Sequence, residues 1–142
     1  HVTALCVYVV TTWLVWPPAD RALAVCEDIG AAALVEGLSP SLVIALAYTE
    51  SRLNPEARSS RGAVGPLQVI PWFHCPSRRE RGCDLVSAGV KSIVRFERRF
   101  GHHWLCHWNS GNKCFRRSRL FARIVLGRAA ELSRARGEGC LP

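Results

Sequence analysis

Glu50 stands where a carboxylate is unfavourable. Val43, Leu46, Ala47 and Glu50 fall at i, i+3, i+4 and i+7, which places all four on one stripe of a helix. An ionised carboxylate on an apolar stripe must be paired or become neutral. Glu50 also closes the helical pattern, where the partial negative charge of the helix end opposes a second negative charge. Both effects raise its pKa, which is the tuning a general acid needs near neutral pH. The nearest base, Arg52, lies two residues on, so a helix points it away from the Glu50 face. The expectation is an acid with an apparent pKa well above the ~4.3 of a free Glu, and a rate that falls on the alkaline side. The plainer reading is a Glu at the stripe's edge, solvated or paired with an arginine.

Seven cysteines are the second chemical feature. Cys75 and Cys83 flank one loop and Cys106 and Cys114 another, so each pair reads as a local disulfide. Cys26 and Cys140 sit near the two ends and could tie them, which leaves Cys6 outside any intrachain bond. Zinc is the rival, because His74, His102, His103 and His107 lie beside these cysteines. Zinc sites use tight pairs such as Cys-x2-4-Cys, and the pairs here are spaced too widely. The reading is therefore no metal and no cofactor. Disulfides persist in oxidising compartments, so export to the periplasm or cell exterior is expected.

The elements that would position these residues are helical. Residues 1–18 form an apolar segment, from Ala4 to Trp16 interrupted only by Thr11 and Thr12. It is short for a span of about 20 residues. It suits a signal peptide, a membrane anchor, or a piece packed on a partner such as a larger envelope or virion assembly. Pro17-Pro18 breaks it from residues 20–142. Asp20 can cap a helix burying Leu23, Cys26, Ile29, Ala33 and Leu34, with Gly37 ending it. Ser39-Pro40 launches a helix over Ser41–Arg52, which Asn54-Pro55 stops. Asp84 caps a helix through Phe100, with Leu85, Val86, Gly89, Ile93 and Phe96 inward and Gly101 closing it. A last helix over residues 117–136 packs Leu120, Ile124, Ala129 and Leu132. No alternating strand pair appears. The fold class is mostly α, one helical domain of a size that 142 residues can fill.

The charge is +8, from 19 basic and 11 acidic residues, which draws the chain toward polyanions. Arg78-Arg79-Glu80-Arg81 and Arg116-Arg117-Ser118-Arg119 could meet phosphates. No aromatic-interleaved basic platform accompanies them, so nucleic acid is the weaker reading and an anionic wall or envelope polymer the stronger.

Three ordered motifs add to this. Glu50-Ser51, Gly65-Pro66-Leu67-Gln68 and Trp108-Asn109-Ser110-Gly111 resemble the Glu-Ser, Gly-Leu-Met-Gln and Tyr-Asn-x-Gly motifs of the soluble lytic transglycosylases, relatives of goose-type lysozyme. The stretch from Tyr48 to Ile70 is similar nearly throughout, including Asn54-Pro55-x-Ala57. Cys83-Asp84-Leu85-x-x-x-Gly89 resembles a segment of secretion-associated and phage members. The resemblance spans about residues 23–130.

It implies a lysozyme-like domain that cleaves peptidoglycan between N-acetylmuramic acid and N-acetylglucosamine. Glu50 would be the sole acid and base, leaving a 1,6-anhydro end; goose-type hydrolysis of the same bond is the alternative. Ser51, Gly65, Leu67, Gln68, Trp108 and Asn109 would form the substrate site, with Asn109 holding the Trp108 loop beside Glu50. Secretion-associated relatives suggest Cys83 as the partner of Cys26, which would free Cys75. Two positions depart from the pattern. Pro66 lacks the N–H of the usual Leu, and Trp108 brings an indole donor where most members have a phenol. The role implied is local wall opening, in phage lysis or entry or in building a secretion machine.

Overall fold

The computed structural model describes residues 1–14 and 18–139. The helices are α1 (Val2–Thr12), α2 (Ala19–Val35), α3 (Pro40–Ser51), α4 (Pro71–His74), α5 (Leu85–Phe100), α6 (Trp104–Ser110) and α7 (Arg116–Gly139). A 3-10 turn, Gly101–His103, joins α5 to α6. Among the described residues the extended structure is limited to the bridges Arg58–Val64 and Val64–Val69. The mostly helical fold with disulfide-stapled loops is as the sequence predicts.

Helix α3 is the hub, packed chiefly against α7 and α2. It starts where Ser39 Oγ accepts the Leu42 N–H and Pro40 takes the first turn. Every residue from Val43 to Tyr48 is buried, so the helix is enclosed on all sides rather than along one stripe. Glu50 is the point where it emerges. Arg52 and Leu53 then take left-handed backbone (φ 56° and 62°), reversing the chain and driving Leu53 into the core.

Helix α2 ends as Gly37 (φ 72°) allows the Leu38 N–H to reach the Ala33 carbonyl, at 2.9 Å. Its inner side carries Ala22, Cys26, Ile29 and Ala33, whereas Leu34 is 55% exposed. Asp84 Oδ1 caps α5 through the Ser87 N–H at 3.1 Å, and Gly101 closes that helix. The inward side of α7 differs from the expected one. Ser118, Val125 and Leu132 are buried, while Leu120 and Ile124 are half-exposed. This helix carries apolar residues on two sides, and the buried side is the one through Ser118, Val125 and Leu132, spaced seven residues apart.

Two cysteine expectations are corrected by α1, which lies against α2 and α7. Cys6 is bridged to Cys26 (S–S 2.08 Å), so Cys6 is not outside the bonded set and Cys26 pairs with neither Cys83 nor Cys140. The reason is helix–helix packing: Leu5, Cys6 and Val9 are buried, and Gly30 of α2 leaves room for Val2, whose Cγ1 would lie 2.3 Å from an added Cβ. Glu131 of α7 accepts from Tyr8 Oη at 3.2 Å and from the Trp13 indole. Cys140 and residues 15–17 of the proline break lie outside the described residues. Cys75–Cys83 and Cys106–Cys114 are bridged as expected. No helix among the described residues is long and apolar enough to cross a membrane.

Gly89 is where α5 meets the motif turn. An added Cβ would lie 2.6 Å from Leu67 Cδ1, 3.0 Å from Leu67 Cβ and 3.2 Å from Val69 Cγ1. Gly89→Ala gains about 1 kcal/mol of helix propensity but loses roughly 1–3 kcal/mol to overpacking, and it pushes the turn toward the cleft. The expected result is a lower urea midpoint together with reduced activity. A midpoint above wild type would contradict this close approach.

Candidate active site

The site begins with Ser51, the last residue of α3. Its hydroxyl proton lies between the carbonyls of Ala47 (2.9 Å) and Pro66 (2.7 Å), tying the helix end to the Gly65–Gln68 turn. In that turn the Gln68 N–H donates to the Gly65 carbonyl at 3.1 Å, and Val64 and Val69 exchange backbone bonds of 2.8 and 3.1 Å. Pro66 falls at the second position, where its fixed φ is favoured. Its missing N–H costs nothing here, since it contributes its carbonyl to Ser51. Gly65 has φ 79° and an added Cβ would lie 2.9 Å from Leu85 Cδ1. Gln68 is left-handed without being glycine (φ 52°). Its amide holds it there by donating to Ala57 O (3.1 Å) and Gly65 O (2.8 Å).

Glu50 and Gln68 line one cleft of about 870 Å³ with Trp108, Asn109, His74 and Phe73. Burial drives the Glu50 carboxyl from 4.5 to about 7, and a hydrogen bond from the Trp108 side chain pulls the other way. The indole is a donor only, so it stabilises the anion and offers the protonated acid no acceptor. Arg52 stays away from the carboxylate: its guanidinium lies 4.6 Å from the Tyr48 ring centre, and Arg128 covers the same ring at 4.9 Å. Among the described lining residues Glu50 is the one acid, against the guanidinium groups of Arg61, Arg95 and Arg99.

Trp108 is fixed by neighbours. Phe96 and Trp104 meet it edge-on at 5.2 and 6.3 Å, and His74 lies tilted beside it at 6.0 Å. His74 Nδ1 accepts the Ile70 N–H at 2.9 Å, and burial lowers its pKa, so the ring is neutral with Nε2 protonated. Trp108 and Asn109 belong to helix α6, not to the loop expected. The helix is stapled past its end by Cys106–Cys114, and His107 Nδ1 bonds Gly111 O at 2.7 Å while stacking on Phe100 at 3.8 Å.

The structure thus brings Glu50, Gln68, Trp108 and Asn109 to one cleft. Leu67 is not there. It is 1% exposed and seated against Gly89 in the core. Gly65 and Ser51 act from behind, as backbone conformation and as a tether. Six of the seven cysteine sulfurs are in disulfides, so the histidines beside them have no thiolate partners among the described residues.

The family model for the transglycosylase SLT domain matches residues 27–119, which contain every element of this cleft. The chain belongs to that family. It is a peptidoglycan lytic transglycosylase. No curated protein and no solved structure matches it significantly. In this SLT domain sequence reasoning missed the cleft residues Phe73, Arg95, Phe96 and Phe100. Phe73 carried a signal, since a four-residue helix after Pro71 cannot bury consecutive aromatics, and Phe73 is 72% exposed.

Two measurements follow from the Glu50 environment. Trp108→Phe keeps the ring packing but removes the donor, so burial acts unopposed and the carboxyl titrates above about 7. Carbon-detected NMR of labelled Glu reads this directly, and a lower value would contradict the bond. The second is linkage. The folded state binds the Glu50 proton more tightly than the unfolded state, so its contribution is full below pH 4.5 and lost as pH rises through about 7. In Glu50→Gln the unfolding free energy relative to wild type should therefore rise by roughly 3 kcal/mol between pH 4 and pH 8. Urea titrations at both pH values check it, and a constant difference would mean a solvated carboxylate.

Proposed function

We propose that Glu50 is the single acid and base of the reaction, cleaving the β-1,4 bond between N-acetylmuramic acid and N-acetylglucosamine. Protonated Glu50 gives its proton to the glycosidic oxygen as the bond to C1 breaks. The resulting carboxylate then takes the proton of the muramoyl 6-hydroxyl, whose oxygen closes onto C1 to leave a 1,6-anhydro end. The observation that carries this reading is a lone half-buried carboxyl poised near pH 7 in a cleft with no second acid among its described lining. Two-carboxylate glycosidases place their acids about 5–9.5 Å apart. Here the substrate's own exocyclic 6-hydroxyl serves in place of an activated water. The Trp108 N–H supports the anionic half of the cycle, while Gln68 Oε1, its NH2 being taken by Ala57 and Gly65, can accept from a sugar N-acetyl N–H and Asn109 offers its amide. The exposed Phe73 offers a ring face for a sugar to stack on.

Three disulfides support export to an oxidising compartment outside the cytoplasm. The positive charge favours an anionic wall. The role proposed is local opening of the wall, in phage lysis or entry or in assembling an envelope-spanning machine.

Muropeptide mass spectrometry after digestion of purified sacculi tests the chemistry: anhydro-muramoyl ends are expected, and reducing ends would replace the ring closure with hydrolysis. Glu50→Gln should lose about 10²–10⁴-fold in rate with its fold intact. Because the bond-breaking step needs the protonated acid, the rate should fall above about pH 7. A rate already lost at pH 5 would exclude Glu50 as the acid.

A further inference from the structure

A second cavity of about 580 Å³ opens beside the cleft, and Phe73, His74 and Arg95 line both. One wall is the loop closed by Cys75–Cys83. The other is a face of α5 carrying Asp84, Ser87, Lys91 and Arg95, whose spacings of three and four residues put them in one row. The charges in that row are ordered. Arg95 stands at the junction with the cleft, Lys91 one turn further out, and Asp84 at the outer end. Among the described residues neither Lys91 nor Arg95 is paired with a carboxylate.

We propose that this side cavity binds the acidic stem peptide of the glycan strand being cleaved; the inference rests on the function proposed above. Each muramic acid carries its peptide on a lactyl group, so a strand seated at Glu50 sends a peptide sideways out of the cleft. That peptide has a free carboxylate at its second residue, a glutamate, and an ammonium group on its third, diamino residue. Moving outward it runs negative and then positive, which complements Arg95 and Lys91 followed by Asp84. The lengths agree: Lys91 to Asp84 is about 10 Å along the helix, the reach of one extended residue plus a long diamino side chain. Asp84 uses Oδ1 to cap α5 and keeps Oδ2 for the ammonium group. The disulfide makes the opposite wall a closed loop, held also by Arg58 on Glu80 at 2.5 Å.

The test separates this inference from the reading beneath it. Glu50→Gln, which cannot turn over, is titrated with N-acetylmuramoyl tripeptide and followed by amide NMR. Shifts at Ser87, Lys91 and Arg95 are expected, and adding Lys91→Glu should weaken binding about fivefold, the scale of one exposed ion pair. Active enzyme is then given intact strands and strands stripped of peptide by an amidase. The kcat/KM ratio of intact to stripped strands should exceed one and fall about fivefold in Lys91→Glu. If Lys91→Glu slows both substrates equally, or the tripeptide shifts nothing on α5, the side cavity does not hold the peptide and the function proposed for Glu50 stands. Failure of wild type to cleave either strand overturns both.

Discussion

Removing water from the Glu50 carboxyl is the constraint on which the rest of this molecule depends. A carboxyl raised to about 7 needs walls on every side but one, and no nearby cation to undo the effect. Helix α3 meets the first need by being buried all round, so its last turn emerges from the core already desolvated. The second is met as well: the guanidinium groups of Arg52 and Arg128 lie over the Tyr48 ring, and no cation contributes to the Glu50 shift. Trp108 trims the shift in the opposite direction.

The cleft walls are made with little regular secondary structure. The turn carrying Gln68 is held by a helix-end hydroxyl, by one pair of backbone bonds and by the Gln68 amide itself. The loops on either side are closed by eight-residue disulfides. Such cross-links limit the conformations open to the unfolded chain more than they add contacts to the folded one. The strained, positive-φ backbone at Gln68 persists because these ties surround it.

Local chemistry was legible in the sequence wherever one residue decides the outcome. The Ser39 and Asp84 caps, the Gly37 and Gly101 stops and the two local disulfides all follow from residue type and position. The raised acid could be read from Glu50's apolar neighbours, although the stripe proved to be a fully enclosed helix. What escaped depended on distant partners. Nothing near Cys6 announces Cys26, because only the docking of α1 on α2 joins them. The buried side of α7 is set by its packing on α3, α6 and α1, and apolar period alone favoured Leu120 and Ile124. Leu67, read through its motif as a contact for substrate, turns inward because Gly89 leaves a space for it.

The position of Trp108 far along the chain from Glu50 has a consequence for when this protein becomes reactive. The α3 segment holds its glutamate from the moment it is made, but the indole and the Phe96 and His74 rings that seat it come from later segments. Until those segments dock, Glu50 is an ordinary carboxylate, ionised at neutral pH and useless as a proton donor. Synthesis therefore handles a harmless polymer. Wall-cutting chemistry switches on only with the completed tertiary structure, so folding itself times the activity.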